Sequence, residues 1–208
     1  SEFQLQTEHV SKLKLPFPKS TFARTQEELT SGIPETNQFV AKPVYSRFAA
    51  KVIINDEKEL DNIIVNEKEP WVVQEYIEGS HFCSFSIAYK GHLSAHAVYP
   101  VGYRVQNGAA IYFEAIEVPE IEHIVTTISK DKKYTGFVSF DFIQNETDGK
   151  YYTIECNPRV TSGIHLFDSK DAFMPFKKSS SICYPKENNR MMLTVAMILY
   201  NLAETRSW

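Results

Sequence analysis

The feature that most constrains this chain is a β-hairpin predicted over residues 136–156, in which two strand-like segments flank the turn sequence NETDGK. Apolar and polar residues alternate along the first segment, GFVSFDFIQ, and this period is typical of a strand with two different faces. The alternation places Ser139 and Asp141 on the face opposite three bulky apolar side chains. Because such a short turn joins antiparallel neighbours, the second segment must run back alongside the first.

The second strand and its extension, YYTIECNPR, carry polar residues that would face Asp141. Alternation predicts that Thr153, Glu155 and Asn157 share one face. A turn of this length leaves Asp141 either directly opposite Glu155 or diagonal to it, at about 5–8 Å. Two carboxylates and an amide oxygen are ligands that suit Mg²⁺, and a cation would offset the repulsion between like charges. The pattern predicts that Asp141, Glu155 and Asn157 bind magnesium; the alternative is a set of solvated polar positions on an exposed sheet face.

These strands, FDFIQ and IECNPR, resemble the paired metal-binding strands of the ATP-grasp superfamily, and the resemblance covers nearly the whole chain. FVAKP resembles the phosphate-binding lysine strand of that family, and WVVQEYIEG resembles its adenine-binding linker. The stretch NPRVTSGIHLF is similar to the branch that includes the carbamoyl-phosphate synthase large subunits. The mixture of hairpins and flanking helices indicates the α+β class. The resemblance implies an ATP-grasp fold, with two α+β lobes and the nucleotide between them.

The resemblance also implies nucleotide contacts outside the hairpin. Lys42 would contact the ATP phosphates, and Ser46 belongs to YSRFAA, which takes the place of the loop that covers them. Many family members carry glycines in that loop, whereas this chain has none between Lys42 and Lys51. In the linker, the backbone carbonyl of Glu75 and the N–H of Ile77 would bind the adenine edge, and Gln74 and Tyr76 are neighbouring candidate positions.

Three further candidates follow from the resemblance. His81 stands near the position at which relatives bind the ribose hydroxyls, although a surface histidine is the competing interpretation. The candidate catalytic residues are Arg104 and Arg159, each of which would stabilise phosphate or acyl phosphate. Either arginine would otherwise form a structural ion pair.

The chain is interpreted as three consecutive parts. Residues 1–38 form leading helices that belong to the ATP-grasp core, residues 39–78 form the small lobe and the adenine linker, and residues 79–208 form the large lobe. The large lobe ends in an apolar helix predicted over residues 191–203. Because the first predicted helix, residues 3–13, begins without a strong capping residue, we expect that an amino-terminal domain is missing.

Composition excludes several classes of partner. The net charge is −4, and the lysines and arginines are dispersed, so neither nucleic acid nor a membrane is an expected partner. No apolar run approaches the roughly 20 residues that a membrane span needs, and membrane attachment through the apolar segment at residues 191–203 is the minor alternative. Cys83, Cys156 and Cys183 form no CxxC pair, which argues against a zinc site or a disulfide framework and favours a reducing, cytoplasmic location.

These observations favour an ATP-dependent carboxylate–amine or carboxylate–thiol ligase. It would bind ATP with Mg²⁺, or with Mn²⁺ in its place, and activate a carboxylate as an acyl phosphate for attack by an amine or another nucleophile. The residues identify neither the carboxylate nor the nucleophile. The alternative is a non-catalytic nucleotide-binding module, or a fragment that is inactive without an amino-terminal domain or a homodimer partner. A third interpretation is an assembly subunit that docks through its carboxyl-terminal helix.

Overall fold

The computed structural model describes five stretches of the chain, residues 13–45, 52–101, 112–168, 181–186 and 190–192. The chain divides into two compact units, residues 1–78 and 79–208. Four features predicted from the sequence lie outside the described residues: the helix at residues 3–13 except its last residue, Ser46, Arg104 and the part of the carboxyl-terminal helix that begins at residue 193.

The first unit is built on a four-stranded antiparallel sheet with two short helices. Its strands lie in the order β1-β4-β2-β3 and comprise β1 (Ser20–Ala23), β2 (Phe39–Pro43), β3 (Ile53–Ile54) and β4 (Trp71–Glu75). The helices are α1 (Gln26–Ser31) and α2 (Glu57–Leu60). One face of the sheet packs into a buried apolar cluster that includes Leu29 of α1, Phe39, Ala41, Trp71 and Val73.

Both helices of the first unit begin at side-chain caps. The hydroxyl oxygen of Thr25 accepts a hydrogen bond from the N–H of Glu28, and a carboxylate oxygen of Asp56 accepts one from the N–H of Glu59, each at 3.1 Å. The second helix, α2, ends at Leu60. The β-branched residues that follow leave the helix, and Val65 packs against the apolar cluster instead.

The second unit contains a larger four-stranded antiparallel sheet, in the order β6-β5-β8-β9. Its strands are β5 (Gly79–Tyr89), β6 (His92–Pro100), β8 (Gly136–Asn145) and β9 (Tyr151–Asn157). A second, two-stranded sheet pairs β7 (Tyr112–Glu114) with β10 (Arg190–Met192). The helical elements are α3 (Pro119–Asp131) and a 3₁₀ helix (Ser162–Leu166). None of the helices in the described part of the chain is long and apolar enough to cross a membrane.

One predicted helix is wrong where it can be checked. The apolar run that starts at Met191 was predicted to be helical, but Met191 and Met192 lie in strand β10, opposite Phe113 and Tyr112 of β7. Pairing with β7 offers this segment backbone hydrogen-bond partners, and an apolar run is compatible with a strand as well as with a helix.

The packing of the second sheet leaves one buried histidine that should make stability depend on pH. His96 is 2% exposed, its Nδ1 lies 2.8 Å from the Ser86 hydroxyl, and burial lowers its pKa to about 4. Because the unfolded chain binds the proton more readily, stability is lost as pH falls from about 6.5 towards 4, by about 1–3 kcal/mol. In urea unfolding, wild type should show this acid loss and His96→Gln should not. The control His123→Gln, a change at an exposed position, should behave as wild type. An equal acid loss in the His96 variant would contradict the prediction.

Candidate active site

Four strands of the second sheet place their polar side chains in one transverse row. The register pairs Tyr99 of β6 with Cys83 of β5, Cys83 with Asp141 of β8, and Asp141 with Glu155 of β9. Of the two registers that the sequence left open, the direct one is therefore confirmed. We call Tyr99, Cys83, Asp141 and Glu155 the carboxylate row.

A β-bulge beside the carboxylate row changes the predicted alternation. The register shifts between Asp141 and Phe142, so that Phe142 lies opposite Thr153 and Ile154 is the extra residue. Thr153 is 2% exposed, and the prediction that it shares a face with Glu155 is wrong because the inserted residue reverses the alternation. Asn157, opposite Ser139, stays on the face of the carboxylate row.

The Asp141 carboxylate is held at both oxygens. The Sγ of Cys83 donates to Oδ1 at 2.9 Å, and Nδ2 of Asn157 donates to Oδ2 at 3.4 Å. The Oδ1 of Asn157 in turn accepts a hydrogen bond from Nη2 of the exposed Arg159, also at 3.4 Å. The structure thus brings together three residues predicted from the hairpin, Asp141, Glu155 and Asn157, and Arg159, which was predicted from the resemblance.

The row fits a divalent cation that takes part of its ligands from elsewhere. Glu155 is exposed and forms no ion pair within the described residues, although it lies directly opposite a second carboxylate. In the part of the chain that the structure describes, no three His, Cys, Asp or Glu side chains form a metal-binding group. Two carboxylates supplemented by phosphate and water oxygens are what Mg²⁺ typically uses. Asn157 presents Nδ2 to Asp141, so it would contribute its oxygen only after rotation of the amide group.

A hydrogen-bonded network backs the carboxylate row. The hydroxyl of the buried Tyr99 hydrogen-bonds the side chains of Thr161 and Cys83, and burial, with the nearby Cys83 and Asp141, raises the Tyr99 pKa far above its ordinary value. The Thr161 hydroxyl lies 2.8 Å from that of Ser139. The segment after β9 is therefore tied to the same face of the sheet.

Close packing fixes the 3₁₀ helix on this face. A Cβ added to Gly163 would lie 2.5 Å from the Cβ of Phe85 and 2.9 Å from Cε1 of Tyr99, so only glycine fits there without displacement. Sequence reasoning missed Cys83, Tyr99 and Thr161. The period of two along β5 puts His81, Cys83 and Phe85 on one face, but only the β5–β8 register shows that Asp141 lies beside them.

The first unit places Lys42 and Gln74 on the face of its sheet away from the apolar cluster. The Nζ of Lys42 lies 3.5 Å from Oε1 of Gln74, and Nε2 of Gln74 donates to the Ser20 hydroxyl at 3.1 Å. Gln74 is only 2% exposed, so its amide is a fixed support for the lysine. The two predicted residues are therefore in contact through a weak hydrogen bond.

The predicted linker follows β4 directly. Glu75 is the last residue of that strand, and the N–H of Tyr76 donates to the carbonyl of Gln38 at 3.1 Å. Ile77 is buried, and within the described residues no hydrogen bond engages its N–H. That N–H is a donor available to a planar acceptor such as an adenine edge.

His81 lies at an exposed position of β5, in the second unit. It is paired with Ile143 of β8, on the same face as Cys83 and Asp141. Its place on that face agrees with a role near a nucleotide, although the ribose contact stays a prediction.

A family model of the ATP-grasp domain matches residues 4–163, more than two thirds of the chain. This chain belongs to the ATP-grasp domain family. The ATP-grasp resemblance and the α+β, ATP-grasp fold predicted from the sequence are both confirmed. The more specific likeness to carbamoyl-phosphate synthases stays a prediction. No protein with a curated description is significantly similar to the ATP-grasp chain in sequence.

Solved structures share the fold of this ATP-grasp chain at low sequence identity. An ADP complex of N5-carboxyaminoimidazole ribonucleotide synthetase has 16% identity and a TM-score of 0.62, over 77% of this chain and 45% of that one. The ATP-grasp ligase PsnB with minimal precursor, Mg and ADP has 19% identity and a TM-score of 0.56, over 76% and 50%. An L-amino acid ligase from Bacillus licheniformis has 17% identity and a TM-score of 0.53, over 74% and 39%. The chain thus spans half or less of the length of these proteins.

Proposed function

We propose that this chain is the Mg-ATP-binding domain of a ligase that activates a carboxylate as an acyl phosphate for attack by an amine, a thiol or another nucleophile. The observation that carries the proposal is the carboxylate row, in which Asp141 and Glu155 lie directly opposite one another on an ATP-grasp sheet. Adjacent carboxylates cost stability unless a cation lies between them, so this pairing points to a role in binding a cation.

The residues of the second unit would offset the negative charge of the triphosphate. Asp141, Glu155 and Asn157 would hold Mg²⁺, with Mn²⁺ as a substitute. When bound, that cation would neutralise phosphate charge and align the reacting oxygens. Arg159, beside Asn157, would direct its guanidinium at the phosphoryl group during transfer.

The residues of the first unit would bind the rest of the nucleotide. Lys42 would contact the phosphates, supported by Gln74, while the N–H of Ile77 and the carbonyl of Glu75 would bind the adenine edge. Relatives of the same fold are described with ADP, and one with Mg and ADP, which agrees with this assignment. Cys83, Cys156 and Cys183 form no disulfide, which suits a reducing location such as the cytoplasm.

A non-catalytic nucleotide-binding module is the second candidate. It is favoured by the absence of glycine between Lys42 and Lys51, where backbone N–H groups would otherwise cradle phosphate. Phosphate release from Mg-ATP in the presence of a panel of carboxylates and amines separates the two functions. Release that depends on one carboxylate and one amine supports the ligase, whereas tight ATP binding without release under any combination supports the module.

Lys42→Ala should weaken ATP binding by about 10–100-fold, because it removes a charge-assisted hydrogen bond to phosphate. Adenosine, which lacks phosphates, should bind both proteins equally. Titration calorimetry with the two ligands measures the difference. Lys58→Ala, at an exposed position of α2 in the same unit, serves as the control and should bind both ligands as wild type does. Equal losses for ATP and adenosine would show that Lys42 supports the fold rather than the phosphates.

A further inference from the structure

Cys83 occupies a position in the carboxylate row that the proposed function does not use. Its Sγ lies 2.9 Å from Oδ1 of Asp141, on the neighbouring strand and in direct register. It is half-buried, and it packs against the apolar cluster of the second sheet, which includes Phe85, Ala97 and Leu166. Packing on that cluster limits the directions in which the thiol can point.

The hydrogen bonds around the thiol give it one orientation. A thiol has a single proton, which is directed at Asp141, and its lone pairs remain as acceptors. Tyr99, behind Cys83 in the row, hydrogen-bonds both Cys83 and Thr161 through its hydroxyl. The order Thr161, Tyr99, Cys83, Asp141 is therefore a continuous chain of side-chain hydrogen bonds that ends at a predicted metal ligand.

Asp141 needs such support because it faces a like charge. Glu155 lies directly opposite, and the second donor to Asp141, Nδ2 of Asn157, is at the longer distance of 3.4 Å. If Asn157 turned its amide oxygen towards a cation, its Nδ2 would no longer donate to Asp141. Of the two donors described above, only Cys83 would then still hold the Asp141 carboxylate. A group that orients a metal ligand typically changes metal affinity by about 10–100-fold when it is removed.

We infer that Cys83 is a positioning residue for the metal site: its thiol holds the Asp141 carboxylate in the orientation that binds the cation. This inference rests on the proposed function, since it assumes that the row binds Mg²⁺ with ATP. Cys83 touches neither cation nor nucleotide in this role. It acts through Asp141 alone.

The test is the gain in ATP affinity that Mg²⁺ provides, measured by titration calorimetry with ATP in saturating Mg²⁺ and in EDTA. In Cys83→Ala the ratio of the two affinities should fall by about tenfold or more, with the metal-free affinity unchanged. Cys83→Ser retains a hydroxyl donor and should restore most of the ratio. Cys156→Ala is the matched control, because Cys156 lies on β9 opposite Phe140, away from the carboxylate row, and it should keep the wild-type ratio.

Each result decides between the inference and the function on which it rests. A wild-type protein whose ATP affinity does not depend on Mg²⁺ overturns the metal site itself. A wild-type protein with that dependence and an unchanged ratio in Cys83→Ala overturns only the positioning role. Loss of metal-free ATP binding in Cys83→Ala, or failure of Cys83→Ser to restore the ratio, would assign Cys83 to packing instead and overturns the inference as well.

Discussion

Asp141→Asn and Glu155→Gln should each weaken Mg-ATP binding by about 100-fold or more, because loss of a direct ligand should exceed the loss of its hydrogen-bonding support. Both substitutions preserve shape and remove one negative charge from a pair in direct register. The amide oxygen in Asp141→Asn can still accept the hydrogen bond from Cys83, so the sheet should remain folded. The loss should therefore concern the cation and the triphosphate rather than the fold.

Calorimetry with Mg-ATP measures this loss, and Asp148→Asn provides the control. Asp148 is a carboxylate in the turn of the same hairpin, where it pairs with Lys150 and Tyr152, so its removal should leave nucleotide affinity unchanged. If Asp141 and Glu155 hold one cation, the double variant should lose less than the sum of the two single losses. Wild-type affinity in both single variants would refute the metal assignment.

The sequence predicted this pair of carboxylates because the information is local. Alternation defines the faces of each strand, and the short NETDGK turn limits the register of strands that are neighbours in the chain. The same reasoning misplaced Thr153. Counting by twos assumes an uninterrupted ladder, and the bulge at Ile154 interrupts it without any glycine or proline to signal the change.

The support behind the pair could not be predicted in this way. Cys83 meets Asp141 through the pairing of β5 with β8, strands that are separated in the chain by β6, β7 and α3. Such pairings follow from how whole strands bury their faces, not from neighbouring residues. The helix predicted from Met191 was wrong for a related reason, since pairing with β7, a strand distant in the chain, decided the conformation of Met191 and Met192.

Arg159→Lys should slow phosphoryl transfer by about 10²–10³-fold while changing ATP affinity little. Arg159 is exposed, and the two hydrogen bonds of its guanidinium, to Oδ1 of Asn157 and to the carbonyl of Val160, are both long at 3.4 Å. Bonds of that length do not fix a guanidinium, so the side chain can be drawn to a phosphoryl group beside the carboxylate row. It lies two residues beyond Asn157, after Pro158, and so just outside β9.

The different shapes of the arginine and lysine side-chain cations decide whether the substitution lowers ATP affinity or the rate of phosphoryl transfer. A guanidinium presents a planar fork that can donate to two phosphoryl oxygens at once, whereas an ammonium is a point charge with looser geometry. Ground-state ATP is attracted to either cation, so its affinity is largely kept. Charge that shifts onto the phosphoryl oxygens during transfer is stabilised only by donors already aimed at them.

Single-turnover transfer, measured in a protein that contains this chain and turns over, separates these contributions. The lysine variant should bind ATP nearly as well as wild type and transfer phosphate far more slowly. Arg24→Lys is the control, because Arg24 forms a surface ion pair with Glu67, stacks on Phe22 and is assigned no role in phosphoryl transfer. Equal transfer rates for Arg159→Lys and wild type would leave Arg159 as a contact of Asn157 that anchors the end of β9. An equal loss of ATP affinity and of transfer rate would instead place Arg159 in ground-state binding, since only a selective effect on transfer identifies a transition-state contact.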